Sequence, residues 1–174
     1  MDLYILRHGL AGSREEWTGP DAERPLTGKG RSRTKAAARG LARLGVAPKV
    51  ILTSTYVRAA ETAQLTSAEL HAPVEEVQAL EPGKLSKGYR ALLQRYNDDA
   101  SVMLVGHEPD LSELIGTLIA GAVRARVELK KGACGLLAVD TASFKSKADA
   151  EAQAATLLWL MTARALGSIA KSSH

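Results

Sequence analysis

A chain of 174 residues, 45% hydrophobic, can bury one core without disulfides or metals and is too short for two ordinary domains, so residues 1–174 are read as a single domain. The apolar content is aliphatic, with one Phe, two Trp and four Tyr, which favours helices on a sheet over an aromatic-rich binding module. The formal charge of +4 comes without a basic tail, which argues for an anionic substrate and against a nucleic-acid partner.

The only cysteine, Cys134, excludes an intrachain disulfide and suits a reducing compartment. The run Leu3 to Leu6 is too short for a signal peptide, and no stretch approaches the ~20 apolar residues of a membrane span. The expectation is a cytoplasmic protein with no membrane partner.

The first strand is Leu3-Tyr4-Ile5-Leu6, apolar without alternation, as in a strand covered on both faces. A polar loop over 11–25 leads to Thr27, placed as the N-cap of a helix that ends near Leu44, with Gly45 as its stop. Val50-Ile51-Leu52 is a second buried strand. Ser54 or Thr55 then caps a helix over 56–70. An extended piece at 74–77 and a helix over 87–96 follow. Val102-Met103-Leu104-Val105 is the clearest strand. It runs through Gly106-His107-Glu108-Pro109 into a helix whose Leu111, Leu114, Ile115, Leu118 and Ile119 form one apolar stripe, with Pro109 in its first turn. Residues 135–139 and 156–161 read as two closing strands, antiparallel at the sheet edge, with 145–155 a polar, Ala-rich loop or short helix between them.

Alternating strands and helices predict an α/β fold, a three-layer α/β/α sandwich with a mainly parallel central sheet. In such folds ligands bind outside the carboxyl ends of the strands. Arg7 and His8 follow the first strand, Ser54 to Arg58 the second, and His107 the strand at 102–105. Four groups able to bind or attack a phosphoryl group (Arg7, His8, Arg58 and His107) are thereby brought to one edge of the sheet. A neutral, aimed imidazole is a nucleophile, and a guanidinium holds phosphate oxygens in a fixed fork. Phosphoryl transfer asks mainly for positioning and for neutralisation of the oxygens. Arg58, in the first turn of its helix, adds charge to an end that already favours anions. Singly, each has a plainer reading: Arg7 and His8 on a surface loop, Arg58 paired with Glu61 at i+3, His107 bonded structurally to the chain.

Taken together, Arg7-His8-Gly9, Arg24-Pro25-Leu26-Thr27 with Gly30, Ser54 with Arg58-Ala59 and Thr62-Ala63, and Val105-Gly106-His107-Glu108-Pro109 resemble the histidine phosphatase superfamily. That is the family of the phosphoglycerate mutases and of the small phosphohistidine phosphatases of the SixA type. The matches fall in family order over residues 3 to 121. The resemblance implies a phosphoglycerate-mutase-like fold and a metal-independent hydrolase needing no cofactor. It makes His8 the nucleophile that becomes phosphorylated, Arg7 and Arg58 the groups that bind the phosphoryl oxygens, and His107 a hydrogen-bond donor completing the pocket.

Two departures stand out. Ala11 takes a place that the larger mutase-type members give to a polar residue. Those members also carry a Glu in a loop before a helix as general acid; the nearest candidate here is Glu81 in Leu80-Glu81-Pro82-Gly83, which reads equally as a solvated loop carboxylate. The expected substrate is a phosphoryl group on a protein histidine. The alternatives are a phosphatase or mutase for a small phosphomonoester and a phosphate-binding module without catalysis. Arg31, Lys35, Arg39 and Arg43 make a cationic row at i+4 steps, read as a solvated face. Gly28-Lys29-Gly30 lacks the strand and spacing of a phosphate loop. His71 and His174 have no partner pattern, so no metal site is expected.

Overall fold

Three central strands divide their side chains strictly by parity. In β1 (Asp2–Arg7), β2 (Val50–Thr53) and β4 (Ser101–Gly106), Leu3, Ile5, Leu52, Val102 and Leu104 enter one core, and Tyr4, Leu6, Ile51, Met103 and Val105 enter the other. Successive strand residues point to opposite faces, so a strand covered on both sides is apolar throughout. The structure, a computed structural model, describes residues 1–121, 125–144 and 154–171.

The six-stranded sheet has the order β3-β2-β4-β1-β5-β6. β3 (Val74–Glu76), β2, β4 and β1 are mutually parallel, whereas β5 (Cys134–Val139) runs antiparallel to β1 and to the edge strand β6 (Ala155–Met161). One face carries α1 (Gly28–Arg43), α2 (Val57–Leu70) and α5 (Ala163–Ile169), through Ala37, Leu41, Ala59, Ala63 and Leu166. The other carries α3 (Leu85–Leu93) and α4 (Asp110–Ala120), through Leu85, Leu93, Leu111, Leu114, Ile115 and Leu118. The three-layer reading therefore holds, with the antiparallel pair at one edge as expected.

Thr27 caps α1, its hydroxyl accepting from the Gly30 amide at 2.9 Å, and Gly45 closes the helix with φ 75°. Gly40 lets α5 lie directly on α1: a Cβ there would sit 2.0 Å from the Leu166 carbonyl oxygen. That short helix was not foreseen, because seven residues give too little periodicity to read. Three local expectations need correction. Tyr56, without a side-chain cap, occupies the N-cap position of α2. Ser54 instead accepts the Tyr56 amide, and Thr55 turns to Glu81. The third and fourth helices begin at Leu85 and Asp110, which leaves Pro109 at the N-cap. The segment expected as loop or helix at 145–155 lies outside the described residues up to 153.

The connections put the cleft where it is. β1 leads to α1 on one face, and its neighbour β4 leads to α4 on the other. Chains departing to opposite sides of adjacent parallel strands leave a crevice at the carboxyl ends.

Candidate active site

The carboxyl ends of β1 and β4 are locked in register, Arg7 opposite Gly106, and the His8 amide donates to the Gly106 carbonyl at 3.0 Å. This puts His8 and His107 side by side, ring centroids 5.1 Å apart. β2 and the first turn of α2 bring Ser54 and Arg58 to the same place. A cleft of about 630 Å³ is lined by Arg7, His8, Arg58 and His107 together. Four groups separated by up to a hundred positions of chain thus meet as the strand-end argument expects.

His8 is buried, and its Nδ1 lies 2.8 Å from the Gly9 carbonyl oxygen. A carbonyl only accepts, so Nδ1 carries the proton and Nε2 keeps its lone pair. Gly9 is itself anchored, its amide donating to the Thr62 hydroxyl at 3.0 Å. Burial pushes the His8 ring down to about 3, helped by His107, Arg58 and Arg7 and opposed by the Gly9 bond. The ring is therefore neutral at any physiological pH. That is the state a nucleophilic imidazole requires.

Both arginines are held by their termini. Arg7 Nη1 donates to the Leu129 carbonyl at 2.8 Å. Arg58 Nη1 donates to the Asp21 carbonyl at 2.7 Å and Nη2 to its carboxylate at 2.9 Å. The Nε of each is buried and has no partner. Burial pulls both guanidinium groups below their ordinary value, Glu108 countering it at Arg7 and Asp21 at Arg58. Glu61, the alternative partner for Arg58, instead accepts from Arg31 and from the Leu26 amide. Arg58 is thus not a solvated helix arginine.

Asp21 carries no signal in the sequence, and Arg24 appears there only as part of a motif, without a role at the site. Arg24 bonds the Asp21 carboxylate at 2.9 Å and the Gly12 carbonyl at 2.6 Å, which fixes the loop that closes one side of the cleft. Burial alone would raise Asp21, but Arg24 and Arg58 hold it below the ordinary carboxylate value. The only sequence signal was Arg24 itself, at the head of Arg24-Pro25-Leu26-Thr27.

His107 is buried, with Nε2 2.9 Å from Ser54 Oγ and Nδ1 without a partner. Burial brings it down to about 4, reinforced by Arg58 and partly offset by Asp21. Tyr56 covers it edge-on at 5.2 Å, and Arg58 stacks over Tyr56 at 4.9 Å.

Glu81 has its hydrogen-bond partners elsewhere. It accepts from Thr55 at 2.9 Å and pairs with Lys84 at 2.7 Å, is absent from the cleft lining, and is held below its ordinary value by those two bonds. The carboxylate from that region of the lining is Glu108 instead, bonded through Oε2 to Ser112 at 2.7 Å, its Oε1 buried and unpartnered. Arg14 and Lys131 complete the basic rim. Of the cationic row on α1, Arg31 and Arg39 pair with Glu61 and Glu69 of α2, which ties the two helices together. Cys134 is packed in the core, its thiol pushed up by burial. Among the described residues no His, Cys, Asp and Glu cluster has metal-site geometry, and no helix is long and apolar enough to cross a membrane.

A model of the histidine phosphatase superfamily (branch 1) matches residues 3–87. An uncharacterized protein of Picosynechococcus sp. is 41% identical over 140 residues, 78% of this chain and 84% of that protein. The chain belongs to the histidine phosphatase superfamily, and it is a phosphatase-class hydrolase. Among solved structures, protein histidine phosphatase SixA complexed with tungstate superposes with a TM-score of 0.80 at 24% identity, covering 94% of this chain and 98% of that one. The putative phosphohistidine phosphatase SixA from Nakamurella multipartitia gives 0.70 at 25%, covering 92% and 94%. A mycobacterial glucosyl-3-phosphoglycerate phosphatase gives 0.68 at 18%, covering 90% and 96%. The phosphoglycerate-mutase-like fold is thereby shown.

Proposed function

We propose that this phosphatase removes phosphoryl groups from histidine on a protein, by way of a phosphohistidine formed on His8. His8 Nε2 attacks phosphorus, the P–N bond of the substrate breaks, and the substrate imidazole departs, taking a proton from solvent on its free nitrogen. Water then attacks the phosphoryl group on His8 and releases inorganic phosphate. Arg7 and Arg58 neutralise the equatorial oxygens, the contribution phosphoryl transfer most depends on.

The observation that carries the substrate class is the state of the carboxyls. An alkoxide leaving group needs a proton delivered at the bridging oxygen. Asp21 is pinned and held below its ordinary value, Glu15 at the rim is likewise lowered by its Ser13 bond, and Glu81 is lowered by its bonds to Lys84 and Thr55. An imidazole leaving group, which titrates at about 6.5, needs no such donor. The similarity to protein histidine phosphatase SixA and to the putative phosphohistidine phosphatase SixA of Nakamurella multipartitia supports this reading.

One observation favours a second reading, a phosphatase for small phosphomonoesters: the free Oε1 of Glu108 beside the cleft. Turnover of a phosphohistidine peptide, an aryl phosphate and an alkyl phosphate, in the natural protein and in Glu108→Gln and Glu81→Gln, separates the two. The peptide should be the best substrate, with neither substitution reducing its turnover more than a few-fold. Alkyl phosphate turned over as fast, and lost in either variant, would give the second reading the better claim. Rapid quench with labelled substrate should mark His8, and His8→Ala should take up no label.

A further inference from the structure

His107 has two ring nitrogens in very different positions. Nε2 faces the hydroxyl of Ser54 at 2.9 Å, and Nδ1 is buried with no partner. The ring lines the cleft, and Nδ1 is its one nitrogen without a partner among the described residues. A neutral imidazole has one N–H, so the nitrogen that carries it decides whether His107 offers a substrate oxygen a donor or a repelling lone pair.

Ser54 is fully buried at the end of β2, and three constraints fix its hydroxyl. Its amide donates to the Val105 carbonyl at 3.0 Å, which holds the residue beside β4. Its Oγ accepts the Tyr56 amide at 3.2 Å, which uses one lone pair. Among the described residues, His107 Nε2 is the only acceptor bonded to that hydroxyl. A proton on Nε2 would leave both the Ser54 hydroxyl proton and the Nδ1 lone pair without partners, whereas a proton on Nδ1 leaves that N–H alone unpaired; each buried orphan costs about 1–3 kcal/mol, so the hydroxyl proton goes to Nε2.

We propose that Ser54 is a positioning residue that sets the tautomer of His107, its O–H donating to Nε2 so that Nδ1–H is the donor presented to the transferring phosphoryl group. The low value of about 4 at His107 keeps the ring neutral, which makes the choice of tautomer matter. Replacing the hydroxyl frees the ring to place its proton on either nitrogen. In part of the molecules a lone pair then faces the phosphoryl oxygens. The protein thereby obtains a fixed neutral donor beside two cations, where a protonated imidazole would be costly. The inference rests on the phosphohistidine reading only for what Nδ1–H does, and the tautomer itself is independent of that reading.

The deciding measurement needs no variant. Nitrogen-15 spectra of the ring of His107 in the full chain should show the proton on Nδ1 and a bare Nε2 near neutral pH. A proton on Nε2 overturns the proposal. Ser54→Ala should shift the ring toward a mixture of tautomers and lower kcat by roughly 10- to 100-fold, less than the roughly 100- to 1,000-fold cost of removing a transition-state donor outright, because part of the molecules keep Nδ1–H. It should change KM little, and His8 should still take up label. Ser54→Thr, which keeps a hydroxyl, should restore the Nδ1–H signal and most of kcat. An unchanged tautomer in Ser54→Ala, or a lost tautomer with unchanged kcat, overturns the role assigned here. Absence of label on His8 in the natural protein overturns the phosphohistidine reading instead and leaves the ring spectra to decide this one.

Discussion

Asp21 grips Arg58 twice, through its own backbone carbonyl at 2.7 Å and through its carboxylate at 2.9 Å. The first contact belongs to the backbone of the 3-10 turn Asp21–Glu23, so it survives any substitution there. The second can be removed. Asp21→Asn keeps the shape and loses the charge, which leaves Arg58 and Arg24 less neutralised in a poorly solvated place. A charged hydrogen bond of this kind contributes about 1.5–3 kcal/mol, and the half-buried carboxylate puts the expected loss at the low end. Denaturant unfolding should show that loss, and steady-state kinetics should show kcat/KM falling by about tenfold as Arg58 loses its fixed orientation. Unchanged kinetics would mean that the carboxylate does not orient the arginine.

Glu81→Gln is expected to be nearly silent. The side chain bonds Thr55 and Lys84, and an ion pair whose lysine is open to solvent contributes about 0–1 kcal/mol. The melting temperature should change little, and turnover of a phosphohistidine peptide should stay within a few-fold of the natural protein. A large selective loss on alkyl phosphate would return Glu81 to the role of acid.

Two glycines separate site from scaffold. A Cβ on Gly9 would meet Thr34 Oγ1 at 2.4 Å, and one on Gly40 would meet the Leu166 carbonyl at 2.0 Å. Overpacking of this kind costs about 1–3 kcal/mol. Gly9→Ala should also disturb the carbonyl that holds His8 Nδ1, so activity should fall by more than the stability loss accounts for. Gly40→Ala, on the far side of α1, should lower stability and leave kcat of the folded fraction unchanged.

Stability should depend on pH through the two buried imidazoles. His8 is brought to about 3 and His107 to about 4, against 6.5 for a free ring. Between pH 6.5 and about 4 the unfolded chain binds protons that the folded protein excludes. Stability is therefore complete above 6.5 and declines as pH falls through this window, by about 1.4 kcal/mol per pH unit for each ring. Unfolding followed by denaturant from pH 7 to 4.5 should show the decline, and His8→Asn should reduce its slope by about one proton. An identical slope in the variant would mean that His8 is protonated in the folded protein.

The strand ends were legible because each depends on a few neighbouring residues. A short apolar run followed at once by Arg7-His8-Gly9, a helix opening with Arg58, and a strand ending in Gly106-His107 announce themselves locally. The parallel sheet then forces them to one edge. Pleat and parity did the rest: a strand apolar on both faces must lie between two layers of helices, and both cores are present.

What only the folded chain decided is which groups those residues touch. Arg58 is bonded to Asp21, thirty-seven positions away, and not to Glu61 three positions away. His107 meets Ser54 across fifty-three positions. Glu81 is tied to Thr55 and Lys84, and Glu108 lines the cleft. Hydrogen-bond partners are chosen by distances of a few tenths of an ångström between segments remote in sequence, and residue order carries no such distances. Sequence fixes which strands end in reactive residues, because periodicity and end signals are local properties. The pairing of each donor with its acceptor belongs to the packing of the sheet and helices, because only there do the segments come within reach.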